Sequence, residues 1–130
     1  MFLGIALTMS IIIRVLPIAL LIVYSQLIIK YRVNSPIMQL TLAHDGYYKY
    51  ITYILDPYIL SAYIAGLAGS LIWLFTVARL PLAQAFPIYQ GLTFFFVVLG
   101  STTLLGEPLN VAKVLGAALI LAGVTIGAQG

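Results

Sequence analysis

Polar positions along this chain are few and bunched, and between the bunches run four stretches long enough to cross a bilayer. A spanning helix needs about 20 mostly apolar residues. The runs over residues 11–30, 58–77, 82–105 and 111–128 meet that length. Lipid offers the backbone no hydrogen-bond partner, so each run must pair its amides internally and is predicted to be an α-helix. Arg14 falls in the first turn of the first run, where its long side chain can snorkel to the headgroups.

The segment between the first two spans is patterned differently. Over residues 36–55, Leu40, Ala43, Tyr47, Ile51 and Ile54 recur at helical spacing, while Gln39, Asp45, Lys49 and Thr52 fall elsewhere on the wheel. Asn34-Ser35-Pro36 supplies a capping residue ahead of a first-turn proline. Tyrosines 47, 48, 50, 53 and 58 crowd the same region, and tyrosine prefers the membrane–water boundary. The pattern predicts an interfacial amphipathic helix, with a gate over a substrate path as the more specific reading. The expected fold is therefore an all-α membrane protein. Residues 1–130 form a single four-span membrane domain, with the interfacial helix between the first and second transmembrane helices.

Composition agrees with that class. Of the 130 residues, 63% are hydrophobic and 7% charged, against about 25% charged in soluble domains. The N-terminal MFLGIALTMSIIIRVLPIALLIVY has no basic residue before Arg14, and its apolar run resumes directly afterwards. That reads as a retained membrane helix rather than a signal peptide. The +3 net charge is scattered and forms no basic stripe for nucleic acid. Lys30, Arg32, Lys49 and Lys113 fall on one side of the membrane and Arg14 and Arg79 on the other, a bias that favours the first side as cytoplasmic. Cysteine is absent and His44 is the only histidine, so no cofactor or metal is expected. His44-Asp45 are neighbours whose side chains point about 100° apart on a helix, and no nucleophile–base set or phosphate-cradling loop appears. The chain is not expected to be an enzyme.

Small residues mark where helices meet, since lipid provides no hydrophobic drive for pairing. Ala62, Gly66 and Ser70 repeat at intervals of four in the second span. Gly116, Gly123 and Gly127 do similar work in the fourth, the last two forming G-x-x-x-G. Such a face can pack within one chain or between two. In the third span, Pro87 and Gly91 predict a kink of the kind transporters use to open a cavity.

The stretch YSQLIIK, Tyr24 to Lys30, places polar groups at the end of an apolar run. Lys30 and Arg32 fit a headgroup anchor. Gln26 lies one turn inside Lys30, where an unpaired amide is costly, so it should face protein or a wet cavity. The candidate pathway residues are Tyr24, Gln26, Lys30, Tyr63, Trp73, Tyr89 and Gln90.

Residues 73–127 carry a resemblance. WLFTVARLPLAQAFPIYQGL is followed by LLGEPLNVAKVLGAALILAGVTIG. With Trp73, the Arg79–Leu82 turn, the Ala85-Phe86-Pro87-Ile88 step, Gly106-Glu107 and the Gly116 to Val124 pattern, this resembles the drug/metabolite transporter superfamily. The likeness is to its short four-helix EamA-like and small multidrug resistance-like members. It implies a plasma-membrane transporter working as a homodimer, or as a heterodimer with a paralogous four-span subunit. Small multidrug transporters carry a glutamate in the first span, and here that span has no acid. Proton-coupled export of cationic drugs is therefore disfavoured. What remains is flipping of a lipid-linked sugar, as in subunits that move aminoarabinose-phosphoundecaprenol, or export of a small polar metabolite. Lys30, Arg32 and Arg14 would supply cations for such a substrate. A non-transporting scaffold for a membrane glycosyltransferase or export complex is the rival expectation.

Overall fold

The computed structural model describes residues 2–43 and 46–128, and these form helices without a strand. In order they are α1 (Phe2–Val33), α2 (Pro36–Leu42), α3 (Tyr48–Leu55), α4 (Pro57–Val77), α5 (Leu82–Thr103) and α6 (Val111–Ala128). Four of them, α1, α4, α5 and α6, are long and apolar enough to cross a membrane. The chain is an all-α, multi-pass membrane protein.

α1 begins well before the expected Ile11, because nothing between Phe2 and Ile11 interrupts a helix. Its 32 residues measure about 48 Å, against about 30 Å of hydrocarbon. Arg14 is consequently not in the first turn but more than about three turns inside α1. The stretch from Arg14 to Val33 alone matches the hydrocarbon thickness, so an exposed Arg14 still fits the headgroup level. α1 also runs through Pro17, which sequence reading passed over.

α1 is the hub of the bundle. α4 and α5 each pack along it rather than along each other, and α6 packs along α5. The core joins Ile11 and Val15 of α1 to Ala85 and Ile88 of α5 and Ala128 of α6. The expected small-residue row on α4 needs correction. Its buried residues are Ile59, Ala62, Ala65 and Gly69, whereas Gly66 faces open space and Ser70 is exposed. Steps of four drift about 40° around a helix, so a strict i, i+4 row leaves the contact line within two steps.

The glycines that admit a neighbour are Gly69, Gly91 and Gly100. A β-carbon at Gly91 would lie 3.2 Å from Val124, and one at Gly100 would lie 2.5 Å from Leu27. Gly91 is thus a contact point between α5 and α6, and α5 continues as a helix through the neighbouring Pro87. Nothing lies within 4 Å of such a carbon at Gly116, Gly123 or Gly127. Among the described residues nothing packs against these three.

The single interfacial helix expected over 36–55 is broken into α2 and α3. Gly46 has φ +109°, a conformation that glycine adopts freely and that ends helical continuity. His44 and Asp45, counted in the expected helix, lie outside the described residues. α2 starts where predicted, on Ser35, whose hydroxyl accepts from the Met38 amide at 3.5 Å. Met38 is the buried residue of this pair of short helices, and α3 has none. The Tyr53 hydroxyl donates to the Met38 carbonyl at 3.4 Å. Burial raises its pKa above the usual phenol value.

Candidate functional site: a lateral aromatic cleft beneath a charged clasp

Because α4 and α5 both lean on α1, a gap opens between them. Its floor is Ile18 and Ile22 of α1, and its walls are Gly69, Ser70 and Trp73 of α4 with Phe86, Tyr89 and Gln90 of α5. The cleft holds about 260 Å³. Trp73 sits 5.1 Å from Tyr89 and 6.3 Å from Phe86 between ring centroids. Offset and edge contacts of this kind are the favoured aromatic geometries. Ser70 donates its hydroxyl hydrogen to the Gly66 carbonyl at 3.0 Å, leaving its lone pairs free, and Gln90 is exposed. No lining residue carries a charge. The site can stack a ring or hold an apolar chain and hydrogen-bond neutral polar groups beside it.

Three of the expected pathway residues, Trp73, Tyr89 and Gln90, meet in this cleft. Gln26 and Lys30 do not line it, and at four-residue steps beyond Ile22 they stand about 40° and 80° around α1 from that residue. Ile22 lies against Gly69 of α4 and Leu27 against Gly100 of α5. Gln26 falls between these two directions on the helical wheel, about 40° from Ile22 and about 100° from Leu27. Both Gln26 and Lys30 are exposed. Among the described residues Gln26 is therefore not covered by protein. The buried polar side chain of the stretch is Ser25, which donates to the Ile22 carbonyl at 2.8 Å. Tyr63 is exposed and belongs to neither the cleft nor the clasp described next.

Above the cleft, α1 and α4 are tied by a polar chain that sequence reading missed. Arg32 Nε donates to Asp56 Oδ1 at 2.9 Å and to Oδ2 at 3.1 Å, and Arg32 Nη2 lies 2.8 Å from Oδ1. Asp56 is buried and caps α4, accepting from the Tyr58 and Ile59 amides at 3.2 and 3.3 Å. The guanidinium also stands 4.7 Å over the Tyr58 ring, a cation–π distance. One turn on, Ser61 Oγ donates to the Tyr58 carbonyl at 2.6 Å. With that hydrogen used, Tyr24 must be the donor across its 2.9 Å contact with Ser61 Oγ.

This arrangement gives two of the candidate residues partners within the chain. Arg32, expected as an anchor or phosphate-binding cation, is neutralised by Asp56. Tyr24, expected on the pathway, staples α1 to α4. Asp56-Pro57 is a recognisable helix-start signal. Nothing in the sequence points from Asp56 back across 24 residues to Arg32. Lys113 is also engaged, donating from Nζ to the Pro108 carbonyl at 2.7 Å. The Lys30 side chain is exposed and makes no hydrogen bond among the described residues, and the same is true of Arg14 and Arg79.

No family model, curated protein or solved structure matches the chain. The likeness to drug/metabolite transporters rests on the motifs quoted above.

Proposed function

We propose that this protein is a membrane transporter of the drug/metabolite transporter type, flipping or exporting a lipid-linked sugar or a small polar metabolite. The observation that carries the reading is the uncharged aromatic cleft between α4 and α5, with Lys30 exposed farther along α1. A lateral opening suits a substrate that keeps its tail in lipid while its head passes through protein. Trp73 and Tyr89 would stack on a sugar ring, Gln90 and Ser70 would hydrogen-bond its hydroxyls, and Lys30 would attract phosphate or carboxylate at the mouth. α3, with exposed Tyr48 and Tyr50, fits the headgroup layer beside that mouth. A plasma-membrane location suits such a substrate.

The cleft is small for a glycolipid head, so a working cavity calls for a second four-span unit, either a copy of this chain or a paralogue. The open glycine face of α6 fits that partner. The same uncovered face favours the rival reading, a scaffold that docks another membrane protein. Reconstitution into liposomes separates the two. The purified protein alone should move a fluorescent lipid-linked sugar or a labelled polar metabolite between leaflets. Lys30→Ala should slow this about ten-fold or more, the scale of a charge-assisted hydrogen bond. Lys30→Arg should be tolerated better because the charge survives. Gln26→Leu should slow transport without loss of stability. Protein that moves neither substrate in any vesicle preparation would leave the scaffold.

A further inference from the structure

α3 buries none of its residues. At 3.6 residues per turn, Tyr50, Ile54, Ile51, Leu55 and Tyr48 follow one another around about 160° of its surface. Each is between 54% and 82% exposed. The remaining sector holds Thr52, Lys49 and Tyr53. Tyr53 turns to α2, donating to the Met38 carbonyl, and Lys49 lies opposite the centre of the apolar arc. Among the described residues that arc is uncovered. We propose that α3 docks through it into the boundary between lipid headgroups and acyl chains, and that Asp56 is the corner that holds the helix there.

Length sets the level. α4 has 21 residues, which measure about 31 Å against about 30 Å of hydrocarbon. Its first residue, Pro57, therefore stands at the hydrocarbon edge, and only Asp56 separates it from Leu55 at the end of α3. Chemistry selects lipid at that level. The arc has a tyrosine at each end and Ile54, Ile51 and Leu55 between them, and tyrosine prefers this layer. A helix with such an arc and a polar opposite side settles about 5–10 Å into the headgroup–acyl boundary. Size argues against a protein partner. The eight residues of α3 make a face about 12 Å long and about 10 Å wide, well short of the about 800 Å² a side that a stable protein interface buries.

The polar groups of Asp56 are shared among three helices. Its amide donates to the Tyr53 carbonyl of α3 at 3.3 Å, and its carbonyl accepts from the Leu60 amide of α4 at 2.8 Å. Its carboxylate accepts from the Tyr58 and Ile59 amides and from Arg32 of α1. The backbone between the two helices is extended at this one residue, with φ −63° and ψ 131°. The direction of α3 is thus set against two spans, and α3 spends none of its own arc on packing. The docking does not depend on transport through the cleft.

The chain has no cysteine, so single labels are readable. Ile51→Cys, Lys49→Cys and Leu119→Cys, each carrying an environment-sensitive fluorophore, are compared in phosphatidylcholine vesicles. One quencher sits on the lipid near the headgroup, and the other is iodide in water. The Ile51 label should be quenched by the lipid probe and shielded from iodide, and the Lys49 label should show the reverse. Labels that respond alike, or an Ile51 label open to iodide, would overturn the docking. So would an Ile51 label shielded from both quenchers, because protein would then cover the arc. Asp56→Ala should open the Ile51 label to iodide while the label on exposed Leu119 of α6 stays in lipid. Asp56→Asn, which keeps a capping side chain for α4, should open it less. An Ile51 label unmoved by Asp56→Ala would overturn the role of Asp56 as the corner.

Discussion

α1 and α6 are both apolar enough to cross a bilayer, yet they differ in what covers them. α1 is gripped by α4 and α5 and buries Ile11, Val15, Ile18, Ala19 and Val23. α6 packs along α5 and, among the described residues, buries only Ala128, near its end. Hydropathy reports that a segment is compatible with lipid, and it is silent on whether protein or lipid is the neighbour. In lipid the two neighbours are almost equally apolar, so the choice falls to shape and to the few polar groups that need partners. α1 has both: a groove beside Gly69, another beside Gly100, and the Arg32–Asp56 clasp at its end. α6 has one groove, at Gly91, and a glycine face that meets nothing.

The contrast is open to direct attack. The largest effect should come from Ile11→Ala, which empties a site that is 1% exposed and should cost about 2–5 kcal/mol in detergent unfolding. The matched change on α6, Leu119→Ala, should cost less than about 0.5 kcal/mol because that side chain touches no core. Similar losses at both positions would mean that α6 is covered too. Next in size, Gly91→Val should push α6 off α5 by crowding Val124, read as weakened cross-linking between cysteines placed at Ile88 and Ala128. Gly123→Val should leave that cross-link intact. If Gly123→Val instead abolishes a dimer seen by cross-linking in native membranes, the open face of α6 is its interface.

Smaller again is the clasp. Asp56→Ala removes the α4 cap, worth about 0.5–2 kcal/mol, and releases Arg32. Hydrogen exchange should quicken in α2 and α3 while α5 and α6 stay protected. Exchange unchanged in α2 and α3 would show that Met38 and Tyr53 hold that hairpin without the clasp. The smallest effect is expected at Glu107. Glu107→Gln should keep both transport rate and pH profile, since Glu107 lies in the connection after α5, outside every span. Loss of pH dependence in that variant alone would restore proton coupling.

Much of the fold was legible in the chain. Three of the four spans end within a few residues of their expected limits, because apolar runs bounded by Asp56-Pro57, Arg79 and Pro108 leave little freedom. The first was misjudged at its start, since Arg14 looked like a boundary and a long side chain on an exposed helix face need not be one. The interfacial helix was misjudged in its middle, where Gly46 takes a backbone angle that a wheel diagram ignores. The site was legible in part. Trp73, Tyr89 and Gln90, all expected on the pathway, line one cleft. Phe86, Ser61 and the Arg32–Asp56 pair carried no local signal pointing to one another.

What the sequence determined by itself is therefore the solvent and the segments: residues this apolar must live in lipid, and backbone in lipid must be helical. What only the tertiary structure decided is which faces those helices turn to one another. Within the bilayer, burial against protein and exposure to lipid differ little in free energy per methylene, so periodicity cannot choose between them. Close approach at Gly69, Gly91 and Gly100, and a charge pair closed across two helices, made that choice instead.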